Sequence, residues 1–248
     1  MRGAPGAPSF YLKQRLMILR KYVKKGQKIQ LRALNSRPPE GKQELLSATL
    51  ASGEDDHLVL RLPYGPNTVQ EYPIVRGMPF ELSADAMGLG IKVSVAVTDI
   101  LSGEEIRVRA EDDLQMFQRR AQPRVDCTLA LRLTRHGGSL QNLRQAWQQN
   151  VAIFADSHGV TSLEGFDSCQ LNLSSGGMRL LIQPPAAPDE VCLVLLALPD
   201  RKPPVCALAE TVWVSDPNPE EFVYAGMRFI NILEEDQKRI DRFVREFS

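Results

Sequence analysis

The sequence predicts a mainly β protein: two small antiparallel β-barrel domains in tandem, with an N-terminal helix, an inserted helix and a C-terminal helix. Three observations carry that reading. Short alternating apolar runs follow one another from Lys28 to Phe229, and clusters of Gly, Pro, Asn and Ser separate them. The alternation lapses over a polar, charged stretch at Glu111–Gln122 and resumes at Val125, which divides the chain.

Taken in order, residues 1–26 read as a basic amphipathic helix. Phe10, Leu12, Leu16, Leu19 and Val23 recur at near-helical spacing up to Lys25, and Gly26 stands where a helix C-cap glycine would. Residues 27–114 read as the first barrel, with strands at Lys28–Leu34, Leu45–Leu50, His57–Leu62, Met78–Leu82, Ile91–Val97 and Glu105–Arg109. Residues 115–124 form a linker. Residues 125–248 read as the second barrel, with strands at Cys127–Leu133, Cys169–Leu173, Met178–Ile182, Val191–Leu198, Cys206–Val214 and Phe222–Phe229. A helix at Ser139–Phe154 interrupts its first two strands. Another at Glu234–Phe247 closes the chain with Ile240, Phe243, Val244 and Phe247 on one face.

Composition narrows the function classes. With 43% apolar and 24% charged residues over 248 positions, the chain has the make-up of an ordinary globular protein. Its formal net charge is zero, so the overall balance points to neither a nucleic acid polymer nor a membrane surface. The charge is unevenly placed: before the first acid, Glu40, stand Arg2, Lys13, Arg15, Arg20, Lys21, Lys24, Lys25, Lys28, Arg32 and Arg37. No stretch has the apolar length of a membrane span or of a secretory signal, and the expected location is the cytoplasm. Cys127, Cys169, Cys192 and Cys206 are far apart and form no CxxC pair, so reduced, mostly buried thiols are expected. No metal-ligand spacing joins them to His57, His136 or His158. Asp156, Ser157 and His158 are adjacent along the chain, whereas catalytic triads meet in space, so that cluster reads as a loop.

Two short motifs carry the functional reading. Arg120 and Arg124 form RxxxR at the head of the second domain, with Arg119 directly before them. Asn172-Leu173-Ser174-Ser175-Gly176-Gly177 fits (D/N)xSxxG. Read singly, the first is also a solvated linker and the second a strand end with a glycine turn. In this order, and with Tyr224–Phe229 and the closing helix behind them, they resemble the PilZ family. The preceding barrel is similar to that of flagellar-brake proteins in strand pattern and length.

The resemblance implies a receptor for cyclic di-GMP, with no cofactor, no metal and no catalysis. Its ligand-binding residues would be Arg119, Arg120, Arg124, Asn172, Ser174, Gly176 and Gly177, at the junction of the two domains. Binding would rearrange the domains and act on a protein partner such as a flagellar motor component at the basal body. The other reading is a degenerate family member that binds a protein partner without nucleotide.

The residues suit this ligand chemically. Cyclic di-GMP presents two phosphates and two guanine faces, and arginine can fork onto a phosphate or the guanine O6/N7 edge and can stack on a base. Pro123 disfavours helix at Gln122, so Arg120 and Arg124 lie on an extended arm. At roughly 3.3 Å per residue, their stems are up to about 13 Å apart. In an extended segment Asn172 and Ser174 leave one side while Leu173 enters the core, and glycines permit positive φ and close approach. Asn172 stands where many members carry Asp, which removes one negative charge near the phosphates.

Overall fold

The computed structural model describes residues 23–34, 41–54, 57–86, 88–118, 123–135, 139–156, 164–215 and 222–247. The chain divides into two compact units. The first is Met1–Arg37 with Leu45–Arg119, and the second is Pro38–Glu44 with Arg120–Ser248.

In the first unit, β1 (Lys28–Ala33), β2 (Lys42–Glu54), β3 (His57–Arg61), β4 (Pro79–Ala86), β5 (Leu89–Ile100) and β6 (Glu105–Ala110) pair antiparallel. The order β1-β4-β5-β6-β3-β2 returns to β1, so the barrel is closed. Alternation along β1 sends Ile29 and Leu31 inward against Phe80 and Leu82 of β4, which is the period a half-buried strand requires. A one-turn helix, α1 (Thr68–Glu71), buries Thr68 and Val69 between β3 and β4.

Two elements depart from the sequence reading here. The helix expected to end at Lys25 is absent over the described residues Val23–Gly26; the rest of it lies outside them. Val23 is buried, the Gln27 N–H donates to the Lys24 carbonyl, and Gly26 (φ 79°) donates its N–H to the Leu50 carbonyl. Pairing with β2 wins over helical periodicity. The stretch expected as connector contains a further strand, β7 (Gln115–Phe117), paired with β5. Its anchor is the Phe117 ring, which lies over Gly90 so closely that any Cβ there would overlap it.

The second unit is also a closed antiparallel barrel. It comprises β8 (Val125–Thr134), β9 (Asp167–Ser174), β10 (Gly177–Ile182), β11 (Val191–Ala197), β12 (Val205–Val214) and β13 (Val223–Leu233). The order β8-β9-β10-β13-β12-β11 returns to β8. Its core joins Leu171, Leu173, Val194, Ala207 and Ala225 to Ile240 and Val244 of α3 (Glu234–Phe247). The expected extent of that helix is met, but Phe247 is 61% exposed and touches only the edge of the packing, its ring 4.9 Å from that of Phe243. One turn beyond Phe243, the chain has run past the barrel wall.

The inserted helix, α2 (Leu140–Asp156), packs on β11 and β12. Trp147 is fully buried there and its indole N–H donates to the Cys206 carbonyl at 2.9 Å. Arg144 binds the Glu44 carboxylate at 2.9 and 3.1 Å, and Asn231 of β13 donates to the same carboxylate. Glu44 belongs to the second unit because Lys42–Glu44, the first residues of β2, pair with Asn231–Leu233. All four cysteines are free; Cys192 and Cys206 are buried, Cys127 and Cys169 half-buried. Burial pushes the Cys192 thiol up to about 12 and Cys206 higher still, so neither is a nucleophile near neutral pH.

A buried ion network pins α3. Arg239 meets Asp236 at 2.6 Å, Asp200 at 2.8 and 2.9 Å, and the Pro203 carbonyl at 3.0 Å. The Arg239 hydrogen bonds hold the Asp200 carboxyl below the usual aspartate value, while burial pushes Asp236 the other way. Since the folded value of Asp200 lies below the unfolded one, its stabilisation is complete above about pH 3.9 and is lost as pH falls through the depressed folded value. Melting temperatures of the wild type and Asp200→Asn should therefore differ at neutral pH and converge below about pH 4. A constant gap down to pH 2 would dissociate Asp200 from acid lability.

Candidate functional site

The (D/N)xSxxG segment forms the β9–β10 hairpin. Leu173 is fully buried, as alternation requires, while Asn172 before it is half-buried. The Ser174 hydroxyl, nearly fully buried, donates to the Gly177 carbonyl at 3.1 Å and so closes the turn on itself. Two bonds tie the turn down: the Phe229 N–H donates to the Gly176 carbonyl, and the Gln237 side chain of α3 to the Ser175 carbonyl. Gly177 (φ 158°) faces Ser174 on one side and Arg228 on the other. A Cβ there would overlap the Met227 carbonyl oxygen and lie 3.0 Å from the Arg228 Cα. Glycine is required at this position by close backbone approach.

From this hairpin a row of paired residues crosses the second barrel from strand to strand, past a register shift in β12 just before Trp213. Asp126 of β8 pairs with Asn172, Asn172 with Arg179 of β10, Arg179 with Gly226 of β13, and Gly226 with Trp213 of β12. The Asn172 amide donates to Asp126 Oδ1 at 2.8 Å, and the Arg179 guanidinium lies 3.7 Å from the same oxygen. Arg179 also stands over the Tyr224 ring, 5.6 Å from its centroid, within cation–π range. The Trp213 indole occupies the space above Gly226 where a side chain would otherwise project. Tyr224, Trp213 and Leu181 are exposed beside the row.

Of the residues singled out in the sequence, Asn172, Ser174, Gly176 and Gly177 share this hairpin, and Arg124 is exposed immediately before β8. Arg119 and Arg120 lie outside the described residues, as do Ser157 and His158. Asp126, Arg179, Tyr224 and Trp213 escaped the motif reading. Each looks like an ordinary outward strand residue, and only the cross-strand register unites them.

The arrangement puts a half-exposed cation over an aromatic ring, next to amide and carboxylate groups. Both sequence motifs, Arg120–Arg124 and Asn172–Gly177, fall inside the match to the PilZ domain model, which spans residues 118–246, and the chain belongs to the PilZ domain family. Among solved structures it is similar to the inhibitor of motility MotI/DgrA from Bacillus subtilis, at 12% identity, TM-score 0.35, covering 90% of this chain and 97% of that one. It is also similar to YcgR from Escherichia coli in complex with c-di-GMP, at 14% identity and TM-score 0.32, covering 93% and 88%. A third is the MrkH–c-di-GMP complex of K. pneumonia, at 14% identity and TM-score 0.35, covering 95% and 93%. No curated protein sequence matches the chain.

Proposed function

We propose that this chain is a receptor for cyclic di-GMP that regulates a protein partner and leaves the nucleotide intact. The observation that supports it is the coincidence of the PilZ match with both ligand motifs, Arg120–Arg124 and Asn172–Gly177. In this reading the arm carrying Arg119, Arg120 and Arg124 closes over the Asn172–Gly177 hairpin, and bound nucleotide passes the signal from one barrel to the other. The flagellar-brake resemblance makes a motor component at the basal body the proposed partner. Among the described residues no helix is long and apolar enough to cross a membrane.

Titration calorimetry tests the reading. Arg120→Ala and Arg124→Ala should each retain the wild-type melting temperature and bind cyclic di-GMP at least tenfold more weakly, since one charge-assisted contact is worth about 1.5–3 kcal/mol. Wild-type affinity in both variants would remove the arm from the site. Swimming assays of cells expressing the wild type and the Arg124→Ala variant then test the motor as target.

One observation favours the second reading, a family member that binds its partner without nucleotide. The Ser174 hydroxyl already donates to the Gly177 carbonyl and one Asn172 amide N–H to Asp126, so both motif side chains have a partner within the protein. Absence of heat with cyclic di-GMP, together with retained partner binding, would establish it.

A further inference from the structure

We propose that Arg179 is an additional anion-binding residue of this face and that Asp126 is the counter-ion which the ligand displaces from it. The proposal rests on the cyclic di-GMP reading above and assigns roles to two residues outside both motifs.

Three features single out Arg179. Its position is fixed by register: it lies directly across from Asn172, two residues after Gly177, so it shares the outward side of the hairpin. Its orientation is fixed by the Tyr224 ring beneath it, which supports the guanidinium without using its N–H donors. Among the described residues its ion-pair partner is Asp126, at 3.7 Å, a separation too long for a hydrogen bond. The side chain is 47% exposed, so the forked donor edge remains open to a phosphodiester.

Asp126 is the complementary half. Its side chain is 81% exposed, and one oxygen, Oδ1, accepts the Asn172 amide and faces Arg179. A carboxylate in that place offers Arg179 the negative charge that a ligand phosphate would bring. In the free protein it neutralises Arg179 and orients Asn172. An arriving dianion must compete with it, because two negative groups on one guanidinium repel each other and the pair is open to solvent, where an ion pair contributes little to holding it closed. Asn172 removed a charge from the motif, and Asp126 restores one on the neighbouring strand, in register.

The two residues therefore have opposite signs of effect, which a merely structural role would not produce. Calorimetric titration of the full chain with cyclic di-GMP is made for wild type, Arg179→Ala, Arg179→Lys and Asp126→Asn at matched salt. Arg179→Ala should weaken binding about tenfold or more, with Arg179→Lys between it and the wild type because lysine keeps the charge and loses the fork. Asp126→Asn should tighten binding about three- to tenfold, as expected for removing one nearby like charge. Wild-type affinity in Arg179→Ala, or unchanged or weaker binding in Asp126→Asn, overturns the assignment while leaving the receptor reading intact. Lack of binding by the wild type and every variant overturns both.

Discussion

Valine at position 177 is expected to abolish nucleotide binding and to lower the stability of the second barrel. The new Cβ would meet the Met227 carbonyl oxygen and the Arg228 Cα, both backbone, so no side-chain rotation relieves the clash. β10 must move away from β13, and with it go the turn closed by Ser174 and the Phe229–Gly176 bond. Overpacking of this kind costs typically about 1–3 kcal/mol, before the loss of ladder hydrogen bonds is added. Valine is also ill suited to a φ of 158°. Melting temperature and calorimetric titration of Gly177→Val read both effects. A soluble variant with wild-type stability and affinity would show that the hairpin needs no glycine there.

The second large effect belongs to Trp147. Trp147→Ala removes a fully buried indole between α2 and the barrel and leaves the Cys206 carbonyl without its donor. Large-to-small replacements of this type cost about 3–5 kcal/mol, a major part of the roughly 5–15 kcal/mol that holds a typical domain together. Trp147→Phe keeps most of the volume and isolates the lost hydrogen bond, at about 1–3 kcal/mol for an orphaned buried acceptor. Denaturant unfolding of both variants measures the difference. The chain has two tryptophans, and the other, Trp213, is exposed, so a Trp213→Phe background makes the burial of Trp147 directly visible in fluorescence. Equal stability of Trp147→Ala and wild type would mean that the inserted helix is an ornament.

What the sequence disclosed was local. Period-two alternation placed the strands of both barrels because one side of each strand is buried, and the pattern survives in any sheet order. The ends came out short where bulges and pairing extend a strand past its apolar run, as in β2 to Glu54 and β5 to Ile100. β7 was not legible: three exposed residues carry no periodicity, and their anchor is a ring stacked on a glycine in another strand. The helical reading does not hold over Val23–Gly26 because Val23 and Gly26 are recruited by the first unit, a tertiary effect that outweighs local propensity there. The binding motif could be read from Asn172 to Gly177 because those residues are consecutive. Asp126, Arg179, Tyr224 and Trp213 could not, since their proximity is a property of register between strands, with Asp126 and Tyr224 98 positions apart in the sequence.

Residues 38–44 belong with the second unit although the first unit's strands follow them in the chain. Glu44 and its partner Asn231 are separated by 187 positions. During synthesis at about 5–20 residues per second, that segment leaves the ribosome roughly 10–40 s before the strand it pairs with. A fragment begun at Arg120 would be born without the carboxylate that Arg144 and Asn231 share. Cutting this protein at the boundary between its units would thus take the Glu44 carboxylate from Arg144 and Asn231, and the severed half would differ from the same half in the whole chain.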